Sequence, residues 1–254
     1  MNQNTKENII QEMEYTFPYH FIPFFDKGVF KQCRNFSWGF EYLSYLNFVV
    51  SNIEKVKCDS LLDVGCGDGR LIYELNRRLP ERKIRGMDYF QKAIDLAKAM
   101  HPQGNYVCGD ITGESLFESK FDIITAIETL EHIKIKDLTE FIRKTSEYLN
   151  PDGRFIITVP SINVRLNKKH FQHFSLESFK SFIPEELKLN KYHYINIIEK
   201  NIRYRILKKI LTNDFFILNN NRLLNKIFQY YTKKLFFCEK YNCRRIYVEL
   251  IKIN

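Results

Sequence analysis

Between Ser60 and Val159 short apolar runs and amphipathic segments alternate without a break, and this alternation leaves few folds open to the chain. Ser60–Val64 is an apolar run that ends in a glycine-rich turn, and Arg70–Leu79 has helical character up to Pro80. Lys83–Met87 and Asn105–Cys108 are strand-like, with a helical Phe90–Met100 between them. Phe121–Ile127 is almost unbroken in its hydrophobicity, as a strand covered on both faces should be. Lys136–Leu149 predicts a helix closed by the turn Asn150-Pro151-Asp152-Gly153, and Arg154–Val159 a fifth strand. Strands that alternate with helices build a parallel sheet covered on both faces. In such sheets the ligand lies beyond the carboxyl ends of the strands.

The flanks complete the plan. Asn35–Lys55 has apolar residues at helical spacing (Phe36, Phe40, Leu43, Leu46, Val49, Val50, Ile53) and predicts a helix leading into the core. Ser175–Phe182 reads as helix, Lys191–Glu199 as strand, residues 201–240 as a basic, aromatic-rich helical insert, and Arg244–Ile253 as a last strand. The expected fold class is therefore α/β, a doubly wound, mostly parallel seven-stranded sheet with an N-terminal helical lid and a C-terminal helical insert. The expected boundaries are 1–56 for the lid and helix, 57–200 for the core, 201–242 for the insert and 243–254 for the final strand.

Leu61-Leu62-Asp63-Val64-Gly65-Cys66-Gly67-Asp68-Gly69-Arg70 joins a strand to a helix through glycines at alternate positions. Glycine lets the backbone turn sharply and lets a ligand approach where a Cβ would clash. Dinucleotide sites favour G-x-G-x-x-G with a pyrophosphate on the helix N-terminus. Here the spacing is G-x-G-x-G with an acid two residues earlier, which suits a ligand bearing a cationic amino group. Asp88 ends the second strand and Asp110 follows the third. A lone aspartate at a strand end is more often a turn residue. Three of them at successive strand ends, in register with a glycine loop, outweigh that reading.

These residues resemble the motifs of class I S-adenosylmethionine-dependent methyltransferases, from about Ser60 to Val159. The resemblance implies that Gly65, Cys66 and Gly67 pass against the methionine part of the cofactor, with Asp63 orienting the loop or the amino group. It implies that Asp88, followed by Tyr89, accepts the ribose hydroxyls, and that Asp110 and Ile111 meet the adenine, with Glu128 also on the cofactor.

The fourth strand runs into Ile127-Glu128-Thr129-Leu130-Glu131-His132-Ile133. This E-x-x-E-H resembles the ubiquinone-pathway O-methyltransferases and the enzymes that methylate the terminal ribose of small RNAs. On a helical turn Glu128, Glu131 and His132 would share one face. His170-Phe171-Gln172-His173-Phe174-Ser175 resembles the stretch that supplies a second histidine in the RNA group, with His170 rather than His173 as counterpart. The resemblance implies a Mg²⁺ or Mn²⁺ site of Glu128, Glu131, His132 and His170, with Zn²⁺ also compatible. Two other readings stay open: a metal-free site with His132 or His170 as base assisted by Glu128, and simple packing.

Net charge is +9, and residues 150–254 carry 20 Lys and Arg against 8 Asp and Glu, whereas 1–149 carry 19 against 22. The excess suits an acidic partner, either an anionic small-molecule substrate or, less favourably, nucleic acid or an anionic membrane surface, with the insert itself read first as a cap on the sheet edge; Lys-, Asn-, Ile- and Tyr-rich composition by itself also adds lysines. Phe17-Pro18-Tyr19-His20 and Trp38-Gly39-Phe40-Glu41-Tyr42-Leu43 resemble methyltransferases of bacterial capsule and surface-glycan clusters, which implies a glycan-precursor acceptor with Arg165, Lys168 and Lys169 beside His170. The alternatives are ribose 2′-O-methylation of RNA and a non-catalytic, cofactor-binding partner subunit. The first residues lack the basic-then-apolar order of a secretory signal, no run approaches membrane-spanning length, and the six cysteines show no pairing logic, so the expected setting is cytoplasmic.

Overall fold

The computed structural model describes residues 5–14, 24–26, 29–31, 36–113, 115–198, 202–211, 213, 215–216, 218 and 220–253. In chain order these are α1 (Lys6–Glu14), the small hairpin β1 (Phe24–Asp26) and β2 (Val29–Lys31), α2 (Phe36–Ile53), β3 (Ser60–Val64), α3 (Arg70–Arg78), β4 (Lys83–Asp88), α4 (Gln91–Met100), β5 (Asn105–Cys108) and β6 (Phe121–Ile127). There follow α5 (Leu138–Glu147), β7 (Leu149–Pro160), α6 (Leu176–Lys180), β8 (Leu187–Ile197), α7 (Ile202–Leu211), α8 (Asn221–Lys234) and β9 (Cys243–Lys252).

Seven strands form one sheet in the order β5-β4-β3-β6-β7-β9-β8. Neighbours are parallel from β5 to β7, and β9 runs antiparallel to both β7 and β8. The order reverses between β3 and β6, so the crevice at the carboxyl ends of those two strands is where a ligand should sit. Alternation along each strand supplies two cores. Leu61, Ile123 and Ile156 face α2, α3 and α4, where Val49, Ile53, Ile72, Leu75 and Ile94 are buried. Leu62, Ile124, Phe155 and Ile157 face α5 and α6, against Phe141, Ile142, Leu176 and Phe179. Each such side chain contributes about 1.5–3 kcal/mol on burial, so the sheet is held from both sides.

Three local expectations are corrected. Residues 135–137 form a 3₁₀ turn and α5 starts only at Leu138. The turn Asn150–Gly153 lies inside β7, because Leu149 already pairs with Phe121 and Arg154 pairs with Ile123, and the intervening residues bulge. β8 begins at Leu187, earlier than the sequence suggests, since its first half alternates between exposed and covered positions and carries lysines. The expected insert consists of α7 and α8. It is tied down where Asn196, at a left-handed φ of 59°, donates from Nδ2 to Ser44 Oγ on α2 and Tyr231 Oη on α8, each at 2.9 Å. The aromatic stretch 15–23 with His20, and Cys33, lie outside the described residues.

Candidate active site

The glycine loop is closed on itself. The N–H groups of Gly65 and Cys66 both donate to Met87 O at 2.9 Å, Gly69 N–H donates to Cys66 O, and Gly67 N–H donates to Asp88 Oδ2 at 3.0 Å. A phosphate-binding loop needs those donors free. This loop offers backbone surface instead. Gly65 has φ +75°, and a Cβ there would lie 2.5 Å from Thr129 Oγ1, so glycine is required twice over. Cys66 is buried with its thiol beside Gly86, and it lines the crevice together with Gly65 and Gly67.

The acids stand where the strand ends put them. Asp88 Oδ1 accepts from Phe90 N–H at 3.0 Å while Oδ2 holds the loop, so this residue also buttresses Gly67. Asp63 is 3% exposed and accepts from Thr125 Oγ1 at 2.7 Å. Burial pushes the Asp63 carboxyl up to about 7 and that of Asp88 up to about 6. Asp110 Oδ1 accepts from Thr112 N–H and Oγ1. One cavity is lined by Asp88, Tyr89, Asp110, Ile111 and Phe141, together with Asn8 of α1. A second is lined by Asp63, Gly67, Tyr45, Glu131, Lys169, His170 and Arg245. Gly65, Glu128 and His132 line both, so the two halves of a long ligand would meet at these three residues.

The E-x-x-E-H segment does not form the helical turn the spacing suggests. Glu128 adopts φ 55°, and only Leu130–His132 form a 3₁₀ turn. Glu128 instead bonds both carboxylate oxygens to other partners. Its Oε2 accepts from Arg245 Nε at 2.9 Å and its Oε1 from Thr158 Oγ1 at 3.1 Å. Of the four expected ligands the structure brings three together: Glu131, His132 and His170 have ligand atoms within 4.8 Å of one another. His170 arrives because residues 169–172 are laced to the 3₁₀ turn. Phe171 N–H donates to Glu131 O at 2.8 Å, and Gln172 Nε2 donates to Leu130 O and Ile133 O.

Hydrogen bonds decide the protonation of these imidazoles. His132 Nδ1 lies 3.0 Å from Lys169 O, and a carbonyl only accepts, so Nδ1 carries the proton and Nε2 a bare lone pair. His173 Nδ1 is likewise 3.0 Å from Val164 O, which makes its Nε2 an acceptor for His170 Nδ1–H at 2.8 Å. His170 Nε2 is then also a lone pair. The rings of His132 and His170 stand edge to face with centroids 4.9 Å apart. Burial holds both neutral, pushing His132 down to about 4 and His170 to about 2. Glu131 is 1% exposed, and its Oε2 has no hydrogen-bond partner among the described residues. Two imidazole lone pairs and an orphaned carboxylate oxygen that converge without a donor fit a divalent cation.

Arg245, Thr158 and Gln172 are site residues that sequence reasoning missed, and His173, set aside there in favour of His170, is the hydrogen-bond partner of His170. Arg245 sits at the start of β9, stacked over the Tyr45 ring at 4.5 Å, and nothing local distinguishes it from Arg244. Of the basic residues expected beside His170, Lys169 lines the cavity, whereas Arg165 and Lys168 are exposed and lie outside its lining.

This seven-stranded architecture is a fold shared by solved methyltransferases, and residues 61–153 match the family model described as "Methyltransferase domain". Two solved structures share the fold: the methyltransferase domain of bacterial CtHen1-C (TM-score 0.59, 15% identity, covering 84% of this chain and 99% of that one) and the N-methyltransferase NodS of Bradyrhizobium japonicum with S-adenosyl-L-homocysteine (TM-score 0.57, 12% identity, 85% and 88%). Among curated proteins, the mitochondrial ubiquinone biosynthesis O-methyltransferase of Saccharomyces cerevisiae is 30% identical, over 58% of this chain and 52% of its own length. The chain spans about half the length of the curated relatives it matches.

Proposed function

We propose that the chain is an S-adenosylmethionine-dependent methyltransferase acting on a hydroxyl oxygen of a small acceptor. The carrying observation is that the two cavities meet at Gly65, Glu128 and His132, beside the donor-free group of Glu131, His132 and His170. The cofactor supplies an electrophilic methyl group on a sulfonium. Asp88 has acceptor capacity beyond its two backbone bonds for the ribose hydroxyls, and Asp110 and Ile111 close the adenine end. The Asp63 carboxylate pairs with the amino group of the methionine part, which relieves the burial that raises its pKa.

Glu131, His132 and His170 would hold the divalent cation, which lowers the pKa of a hydroxyl bound to it. Without it, Nε2 of His132 is the lone pair that can take the hydroxyl proton, and its neutral state keeps that acceptor ready near pH 7. Oxygen as the accepting atom is supported by the O-methyltransferase names of the relatives. Those names belong to quinone biosynthesis, and the glycan-precursor acceptor has no counterpart among them. An anionic acceptor is supported by Lys169 in the cavity wall.

Calorimetric titration of chelator-treated protein with S-adenosylhomocysteine, then with Mn²⁺, tests this reading. Cofactor-product binding abolished by Asp88→Ala, with Mn²⁺ binding abolished by Glu131→Ala, is expected. Failure to bind S-adenosylhomocysteine overturns the methyltransferase reading. Binding without Mn²⁺ moves the chemistry to His132 as base.

A further inference from the structure

Helix α7 is apolar on more faces than the protein covers. Inward, Leu207 and Leu211 meet Ile227 and Tyr231 of α8 and Phe40 of α2 around a small apolar pocket. Outward, Ile202, Ile206 and Ile210 recur every four residues, so they form one stripe, and they are 63%, 52% and 42% exposed. Arg205 and Lys209 are exposed along the same stripe. Just beyond α7, Phe215 is 94% exposed and Phe216 is also bare. A surface helix of a globular domain normally wets the face it does not bury. Bare apolar side chains that recur on one face of a helix mark a contact surface.

The charge around them narrows the partner. Residues 202–234 carry eight Lys and Arg against a single Asp. Arg205, Lys209, Arg222, Lys226, Lys233 and Lys234 are all exposed. A second copy of the chain would set one cationic surface against another. Nucleic acid would satisfy the cations, but it stacks on aromatic rings and gives an isoleucine stripe nothing to contact. An anionic bilayer meets both demands: aliphatic and phenylalanine side chains enter the headgroup–acyl boundary while Lys and Arg pair with lipid phosphates.

We propose that the α7–α8 segment docks the chain peripherally on an anionic lipid bilayer, through Ile202, Ile206, Ile210, Phe215 and Phe216. No helix among the described residues is long and apolar enough to cross a membrane, so the contact is an interfacial one. The position of the segment gives the contact a purpose. β8 is parallel to β7, because both are antiparallel to β9, so the insert leaves the sheet at the edge where Asp63, Asp88 and Glu128 stand. Along α2, Glu41 lines the pocket under the insert while Tyr42 and Tyr45 line the active-site cavity. The insert and the active-site cavity thus share α2 and one end of the sheet, and docking there would set the site near the lipid surface, where amphiphilic acceptors with a headgroup hydroxyl reside.

The test is co-sedimentation of the full-length protein with vesicles of phosphatidylcholine alone or mixed with phosphatidylglycerol, at low and high salt. Salt-sensitive binding to the phosphatidylglycerol vesicles is expected, cut about tenfold or more by Ile206→Glu and separately by Phe215→Ser. Both side chains are exposed, and unchanged S-adenosylhomocysteine affinity of the variants checks their folding independently of the lipid result. The inference is overturned if the folded protein ignores anionic vesicles or binds them equally well with either substitution. It is also overturned if light scattering shows a dimer that Ile206→Glu dissociates, or if the segment retains single-stranded RNA in place of vesicles. Loss of methyl transfer alone would leave it standing.

Discussion

His173 accepts a hydrogen bond from His170, Nδ1 to Nε2 at 2.8 Å, while its own Nδ1 is fixed on Val164 O at 3.0 Å. A backbone carbonyl more than one residue removed thus dictates which nitrogen of His170 carries a lone pair toward Glu131 and His132. The same device, with Lys169 O, serves His132 directly. Outer partners of this kind orient the groups that bind.

Replacing His173 by Phe removes the acceptor and leaves the tautomer of His170 unspecified. Mn²⁺ affinity should fall about 10–100-fold, with S-adenosylhomocysteine affinity unchanged. His173→Gln, whose amide oxygen can accept, should recover part of the loss. Titration calorimetry of the three proteins checks this, and equal metal affinity in all three would remove His173 from the site.

Cofactor affinity should depend on Asp63. Its carboxyl in the free protein titrates at about 7, raised by burial and then by its neighbours Asp88 and Asp68, against an ordinary 3.8. A raised acid stabilises the fold below the ordinary value, and that contribution is lost as pH rises through about 7. The free protein should therefore lose some Tm between pH 5 and 8 from this group. The S-adenosylhomocysteine complex, with an ammonium beside Asp63, should not. Affinity should rise over the same interval, and Asp63→Asn should flatten that rise.

Gly65→Ala forces a side chain into left-handed backbone and against the Thr129 side chain at 2.5 Å. The conformational part alone costs about 1–2 kcal/mol. A lower urea midpoint and weakened S-adenosylhomocysteine binding are expected. Gly65→Ala combined with Thr129→Ser, which removes the Cγ2 contact at 2.7 Å, should recover some of the midpoint.

Arg245→Leu strips Glu128 of its ion pair inside the site. Burial works against the charge of Arg245, and Glu128 keeps it protonated, so each depends on the other. Losing one partner of such a half-buried, charge-assisted pair costs about 1.5–3 kcal/mol. Urea unfolding should show a loss of that order, smaller for Arg245→Lys, which keeps the charge but not the fork.

The α/β class, the strand ends and the three aspartates on them were legible from residues 60–159, because strand and helix periods are local and each acid lies next to the turn that presents it. The glycine loop was legible for the same reason: left-handed φ at Gly65, Gly67 and Gly69 is demanded by the turn itself. Around Glu128 spacing misled because the backbone left a regular period. Glu128 shares no helical face with His132, since its φ of 55° breaks the turn. The remaining decisions belong to tertiary structure. Glu128 meets Arg245 across 117 positions, His132 meets the Lys169 carbonyl across 37, and His173 reaches His170 because Val164 O turns it. Side-chain pairing at such separations follows from how loops pack onto the sheet edge, and no periodicity in the chain encodes it.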